Sequence, residues 1–137
     1  MKIDDELQQL ITVASAVRMR SYSPYSRFAV GAAIRTGAGE VFTGTNVENL
    51  SFGLTLCAER AAVAAAISGG RRDLEVLALV SDSIEPVVPC GACRQVLAEF
   101  NPSLRIVSET LTGVRRIAWL HDLFPAPKRG ILDNAAD

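Results

Sequence analysis

Two segments of this chain that read as helices begin at cysteines, and a fold that gives those thiols a common purpose must bring the two helix N-termini together. Cys57 opens an alanine-rich stretch, 57–68, that stops at Gly69-Gly70, the usual C-terminal signal. Pro89-Cys90-Gly91-Ala92-Cys93 opens a second stretch, 90–100, that ends near Asn101-Pro102. Residues three apart on a helix share a face, so Cys90 and Cys93 can point at one ion. A helix N-terminus also suits a thiolate, because its free N–H groups and its dipole favour negative charge. Gly91 allows close backbone approach.

The rest of the chain supplies a frame for such a meeting. Residues 4–22 carry Leu7, Leu10, Ile11, Val13, Ala14 and Val17 at helical spacing. Ser23-Pro24-Tyr25-Ser26 breaks that helix, since proline disfavours the helical region for the residue before it. Residues 28–34 and 40–45, around Thr36-Gly37-Ala38-Gly39, predict a hairpin. Residues 46–55 form a polar loop. The apolar run 74–80 predicts a central strand, and 104–108 and 114–119 predict two more, with Thr112-Gly113 between them. The order is α-β-β-α-β-α-β-β, whose β-α-β-α-β centre calls for right-handed parallel crossovers with helices packed on a sheet. With 137 residues and no repeat, low-complexity segment or linker, the chain is expected to be a single domain, 1–137, with an irregular tail over 124–137.

Three thiolates make an incomplete tetrahedral zinc site, and an open fourth position is what catalytic Zn2+ requires. Zinc brings the pKa of a bound water to about 7, and a carboxylate two residues after a ligand, Glu59, can move that water's proton. Cys57-Ala58-Glu59 followed by P-C-x-x-C is the ligand and acid–base pattern of zinc deaminases. Arg60 is placed to offset the excess negative charge by hydrogen bonding to a thiolate sulfur.

Other readings remain open on the residues alone. Free cysteines are often small buried hydrophobes, and C-x-x-C also serves as a redox pair, which leaves Cys57 and Glu59 without a role. His121, the only histidine, could close the site as a fourth ligand of a structural, non-catalytic zinc centre. Arg60 could be a solvated helix charge.

Bulk properties narrow the partners. Net charge is −1 and the isoelectric point about 5.8, so there is no basic excess to hold a phosphate backbone, and no nucleic-acid partner is expected. The N-terminal MKIDDELQQL lacks the pattern of a signal peptide, and the apolar runs are too short to span a bilayer. Three cysteines, an odd number, suit thiols or metal ligands in a reducing compartment, so a cytoplasmic location is expected. Apolar residues are 49% and mean hydropathy is +0.23, a surplus that contact between subunits would bury.

Several separated motifs then occur in one order: Ser23-Pro24-Tyr25-Ser26-Arg27-Phe28-Ala29-Val30-Gly31-Ala32-Ala33, Asn46-Val47-Glu48-Asn49, Gly53-Leu54-Thr55-Leu56-Cys57-Ala58-Glu59-Arg60 and Pro89-Cys90-Gly91-Ala92-Cys93-Arg94-Gln95. In these the chain resembles the small homotetrameric cytidine deaminases. The resemblance implies a three-layer α/β/α sandwich around a five-stranded mixed sheet. It implies hydrolysis of cytidine or deoxycytidine to uridine or deoxyuridine and ammonia, a pyrimidine-salvage activity. It further implies Phe28 against the pyrimidine, Asn46 and Glu48 on the ribose hydroxyls, the Ala58 N–H on the base, and active sites shared within a homotetramer. The chemistry is compatible: a flat heterocycle suits an aromatic face, and a diol suits a carboxylate and an amide. Phe28 could equally be a core strand residue, and Asn46 and Glu48 turn caps. The chain departs from the family pattern at Phe52, where tyrosine is common, and at Lys128, where an aromatic is expected. Lys128 and Arg129 raise a second reading, a deaminase of another aminated heterocycle: a modified cytidine, a cytidine nucleotide or a blasticidin-type antibiotic.

Overall fold

The computed structural model describes residues 2–127; of the tail expected over 124–137, the part from Lys128 and Arg129 onward lies outside the described residues. The elements, in order, are α1 (Lys2–Arg18), β1 (Val30–Thr36), β2 (Val41–Thr45), a 3-10 turn (Phe52–Leu54), α2 (Ala58–Ser68), β3 (Leu74–Ser81), α3 (Gly91–Phe100), β4 (Arg105–Thr110), β5 (Arg115–Trp119) and α4 (Leu120–Leu123). The strands form one five-stranded mixed sheet in the order β2-β1-β3-β4-β5. β1 pairs antiparallel with β2 and β3, β3 pairs parallel with β4, and β4 pairs antiparallel with β5. The three-layer α/β/α architecture expected from the sequence is therefore present.

Alternation along the strands sorts the core into two layers. Ala33, Val76, Ala78, Val80 and Val107 face α1, meeting Leu7, Leu10, Ile11 and Ala14. The spacing of those four helix residues puts them on one stripe; Val13, at the edge of that stripe, is exposed. Ala32, Ile34, Leu77, Leu79 and Ile106 face the other way, against Ala58, Ala62, Val63 and Ala66 of α2 and Leu97 and Ala98 of α3. β3 is buried on both faces from Val76 onward, which is why 76–80 is a continuous apolar run; Glu75, near its start, is exposed and pairs with Arg35.

Two glycines set how closely the helices approach. A Cβ on Gly31 would lie 1.9 Å from the Ala14 carbonyl oxygen, and one on Gly44 would lie 2.3 Å from the Ala62 nitrogen and 2.5 Å from the Ala58 oxygen. The sheet is thus clamped on one face by α1 and on the other by α2, at van der Waals limits that no other residue permits.

The structure differs from the expected elements in three places. First, α1 ends at Arg18 rather than continuing to residue 22. Residues 19–22 peel away because Tyr22 N–H donates to the Asn46 carbonyl at 3.1 Å and its own carbonyl accepts from Glu48 N–H at 2.8 Å. Second, the expected loop 46–55 is internally braced. Val47 and Leu56 exchange a reciprocal pair of backbone hydrogen bonds, both 2.9 Å, and Phe52–Leu54 makes a 3-10 turn. Third, α4 follows β5 directly; four residues carry no periodicity to read. The crossovers also need a correction of detail. β2 and β3 run parallel, but β1 lies between them, so only β3 and β4 are adjacent parallel neighbours. Both loops that lead to cysteines, after β2 and after β3, consequently leave the sheet from the same end. Among the described residues no helix is long and apolar enough to cross a membrane.

Candidate active site

Cys57 and Cys90 are the N-cap residues of α2 and α3, each with extended backbone, and Cys93 lies in the first turn of α3. The two helices pack side by side on one face of the sheet, which draws the three sulfurs to within 4.8 Å of one another. Among the described residues this is the sole group of three or more His, Cys, Asp or Glu side chains able to hold a metal ion. His121 is not part of it. Its ring stacks on Trp119, with centroids 5.9 Å apart, and its Nε2 lies 3.7 Å from Asp122. The closed, structural centre with His121 as fourth ligand is thereby removed.

The arrangement fits Zn2+. Three soft donors converge from two helix N-termini, and among the described residues no His, Asp or Glu joins them as a fourth ligand. Cys93 is fully buried, whereas Cys90 is exposed, so the cluster is anchored inside and open outward. The Cys57 thiol has its pKa lowered by the hydrogen bond from Cys93 and by the Arg60 guanidinium, whose Nη2 donates to Cys57 Sγ at 3.3 Å. The hydrogen bond to Cys57, with burial behind it, raises the Cys93 thiol. Arg60 is held as a cation by the same sulfurs, and its Nη2 also donates to the Thr55 carbonyl at 3.4 Å. It is therefore a charge partner inside the site rather than a solvated helix residue.

Glu59 sits in the first turn of α2 with 7% of its surface exposed, and burial pushes its carboxyl up to about 7. Such a carboxyl exchanges protons readily near neutrality. Ala58, beside it, is 1% exposed. Its N–H is in the first turn of α2, where helix geometry provides no carbonyl partner.

These groups line one cavity of about 240 Å3, whose walls are Phe28, Val30, Asn46, Thr55, Cys57, Ala58, Glu59, Val87, Val88 and Cys90. Glu48 is not in it. It lies in an adjoining cavity of about 460 Å3 with Tyr25, Ser26 and Phe52, and Thr55 borders both. Thr55, Val30, Val87 and Val88 were not singled out in the sequence. A valine pair in a loop carries no chemical signature, and its place depends on how the loop after β3 folds over the thiols.

Asn46 and Glu48 both carry structural duties. Asn46 Oδ1 accepts from Val30 N–H at 2.9 Å and from Ser21 Oγ at 2.6 Å, while its Nδ2 donates to the Phe28 carbonyl at 2.7 Å. Glu48 Oε1 accepts the N–H groups of Tyr25 and Ser26 at 2.9 and 3.1 Å, and its Oε2 accepts the Ser26 hydroxyl. The Ser26 hydrogen bond chiefly keeps the Glu48 carboxyl below its usual range, so Glu48 remains an anionic acceptor. Phe28 is partly buried, precedes β1 and faces the cavity, so it is not a strand core residue.

The outer end of α3 is tied down as well. Arg94 Nε donates to the Pro89 carbonyl at 2.7 Å, just before Cys90, and its Nη1 donates to the Leu123 carbonyl at 2.9 Å at the end of α4.

Residues 4–109 match the family model described as the cytidine and deoxycytidylate deaminase zinc-binding region. A cytidine deaminase from Halalkalibacterium halodurans is 54% identical over 96 residues, covering 70% of this chain and 73% of that protein. A cytidine deaminase from Sporosarcina psychrophila is 44% identical over 109 residues, covering 79% of this chain and 80% of that one. Among solved structures, a cytidine deaminase from Burkholderia pseudomallei superposes with a TM-score of 0.86 at 44% identity, covering 88% of this chain and 98% of that chain.

Proposed function

Since the chain belongs to the cytidine and deoxycytidylate deaminase family, a family of zinc-dependent enzymes, we propose that it hydrolyses the exocyclic amine of cytidine or deoxycytidine, giving uridine or deoxyuridine and ammonia. One observation carries this reading: the buried carboxyl of Glu59, the ring of Phe28, and Cys57 and Cys90 of the three gathered thiols line a single cavity. The shape of the site adds support. The first cavity has the size of a flat base, and its neighbour, entered past Thr55, offers Glu48 to a sugar. A nucleoside has the same two parts.

In this reading Cys57, Cys90 and Cys93 hold Zn2+, and Arg60 balances their charge. Zinc, when bound, supplies Lewis-acid activation of water at neutral pH. Phe28 and Val88 confine the pyrimidine, and the Ala58 N–H orients its polar edge. Glu59 takes a proton from the attacking water and protonates N3, which makes C4 electrophilic. It then takes the second proton, from the new C4 hydroxyl, and passes it to the amine, which leaves as ammonia while the C4 carbonyl forms. Asn46 and Glu48 face the ribose hydroxyls, Asn46 through amide N–H not committed to Phe28 and Glu48 through its remaining lone pairs.

The proposal extends to a single domain over 1–137, to a homotetramer with shared sites, and to a reducing compartment that keeps the three thiols free. Exposed Leu50, Phe52 and Leu54, beside the Glu48 cavity, supply an apolar surface for a neighbouring subunit. The deciding experiment is turnover of cytidine, deoxycytidine and cytidine 5′-phosphate by purified protein, followed by the absorbance change on forming the uracil product, with zinc content measured on the same preparation. About one zinc per chain and turnover of a nucleoside are expected. Zinc-loaded protein inert toward both nucleosides would overturn the substrate assignment.

A further inference from the structure

We propose that Ser26 is a positioning residue that couples the sugar-facing carboxylate of Glu48 to the base-facing ring of Phe28; this rests on the nucleoside reading above. The Ser26 hydroxyl has one hydrogen, and it is directed at Glu48 Oε2. The lone pairs of the same oxygen accept the Phe28 N–H at 3.0 Å. Glu48 and Phe28 thus hold opposite sides of one hydroxyl.

Phe28 depends on that contact more than a strand residue would. β1 begins at Val30, so the backbone of Phe28 has no place in the sheet ladder. Its N–H is held by Ser26 and its carbonyl by Asn46 Nδ2, two side chains in place of a neighbouring strand. Between Ser26 and Phe28 lies Arg27, a non-glycine residue in the left-handed region with φ 57°. An arginine does not adopt that conformation without outside restraint. Here the restraint is the turn closed by Arg27 N–H on the Ser23 carbonyl at 2.9 Å and fastened from outside by Glu48, which accepts three donors from Tyr25 and Ser26. The aromatic wall of the base cavity is therefore set from the sugar cavity, through a hydroxyl that lines the latter.

The relay acts on binding geometry and not on proton transfer, because Ser26 touches neither Glu59 nor a thiol. Steady-state kinetics with cytidine on the full-length zinc-loaded protein test it. Ser26→Ala should raise KM about tenfold, the scale of losing a hydrogen bond to a charged group, with kcat within about threefold of wild type. Ser26→Thr, which keeps the hydroxyl, should restore KM to within about twofold. In a Glu48→Ala background, Ser26→Ala should add less than about threefold, since the hydroxyl has already lost its acceptor. A purely structural serine would instead lower the melting temperature without splitting KM from kcat. The relay is overturned if Ser26→Ala leaves KM within twofold of wild type, or if its full effect persists without Glu48. Wild-type protein that turns over neither cytidine nor deoxycytidine overturns the nucleoside reading itself, a result distinct from an active wild type whose KM ignores Ser26.

Discussion

Glu59 and the thiols meet at short range, but they answer to different physical demands, and the difference is measurable. On the proposed mechanism the cysteines need only reach one another, whereas Glu59 needs both burial and a free carboxyl oxygen. Glu59→Gln, which preserves volume, should therefore remove proton transfer. Activity should fall about a thousandfold, while metal analysis should still find about one zinc per chain and the melting temperature should hold. Zinc lost together with activity would mean that Glu59 serves as a ligand. At this scale the sequence was readable where a residue's place follows from its distance along a helix, as for the gathering of Cys57, Cys90 and Cys93 beside Glu59. It was not readable where the job depends on a backbone turn. Glu48 caps residues 25 and 26 in a turn where Arg27 takes a left-handed φ, and no residue type announces that beforehand.

The helices hold the site through contacts with the sheet, and the two glycines show how little slack there is. Gly31→Ala pushes α1 away from β1; Gly44→Ala pushes the first turns of α2, which carry Ala58 and Glu59, away from β2. Each should lower unfolding free energy by roughly 1–3 kcal/mol, read from urea denaturation. Only Gly44→Ala should also depress kcat/KM beyond what the loss of folded protein explains. Equal catalytic loss in both variants would mean that the position of α2 is not what Gly44 protects. Element types were legible from periodicity: the stripe of Leu7, Leu10, Ile11 and Ala14, and the apolar run 76–80 of β3. Element ends were not. α1 stops at Arg18 because Tyr22 pairs with the segment around Val47, a partner some 25 residues away that no local window contains.

For the molecule as a whole, the apolar surplus in composition has a visible address in Leu50, Phe52 and Leu54, which are 79%, 70% and 70% exposed; Phe52 lines the Glu48 cavity. Sedimentation should give a particle of four chains. Replacing Leu50 and Leu54 together with Asp should yield smaller, less active particles that keep the fold by circular dichroism. A double variant that remains tetrameric would move the contact elsewhere on the surface. The sheet order carries a last consequence. β1 runs between β2 and β3, so the two loops that deliver the cysteines start about 10 Å apart, two strand spacings, and on the same rim. That interval is a ruler built from backbone alone, indifferent to what the loops contain. An engineer could therefore recast the donor set at positions 57, 90 and 93 for another metal, or lengthen either loop for a bulkier substrate, and leave the gauge that spaces them untouched.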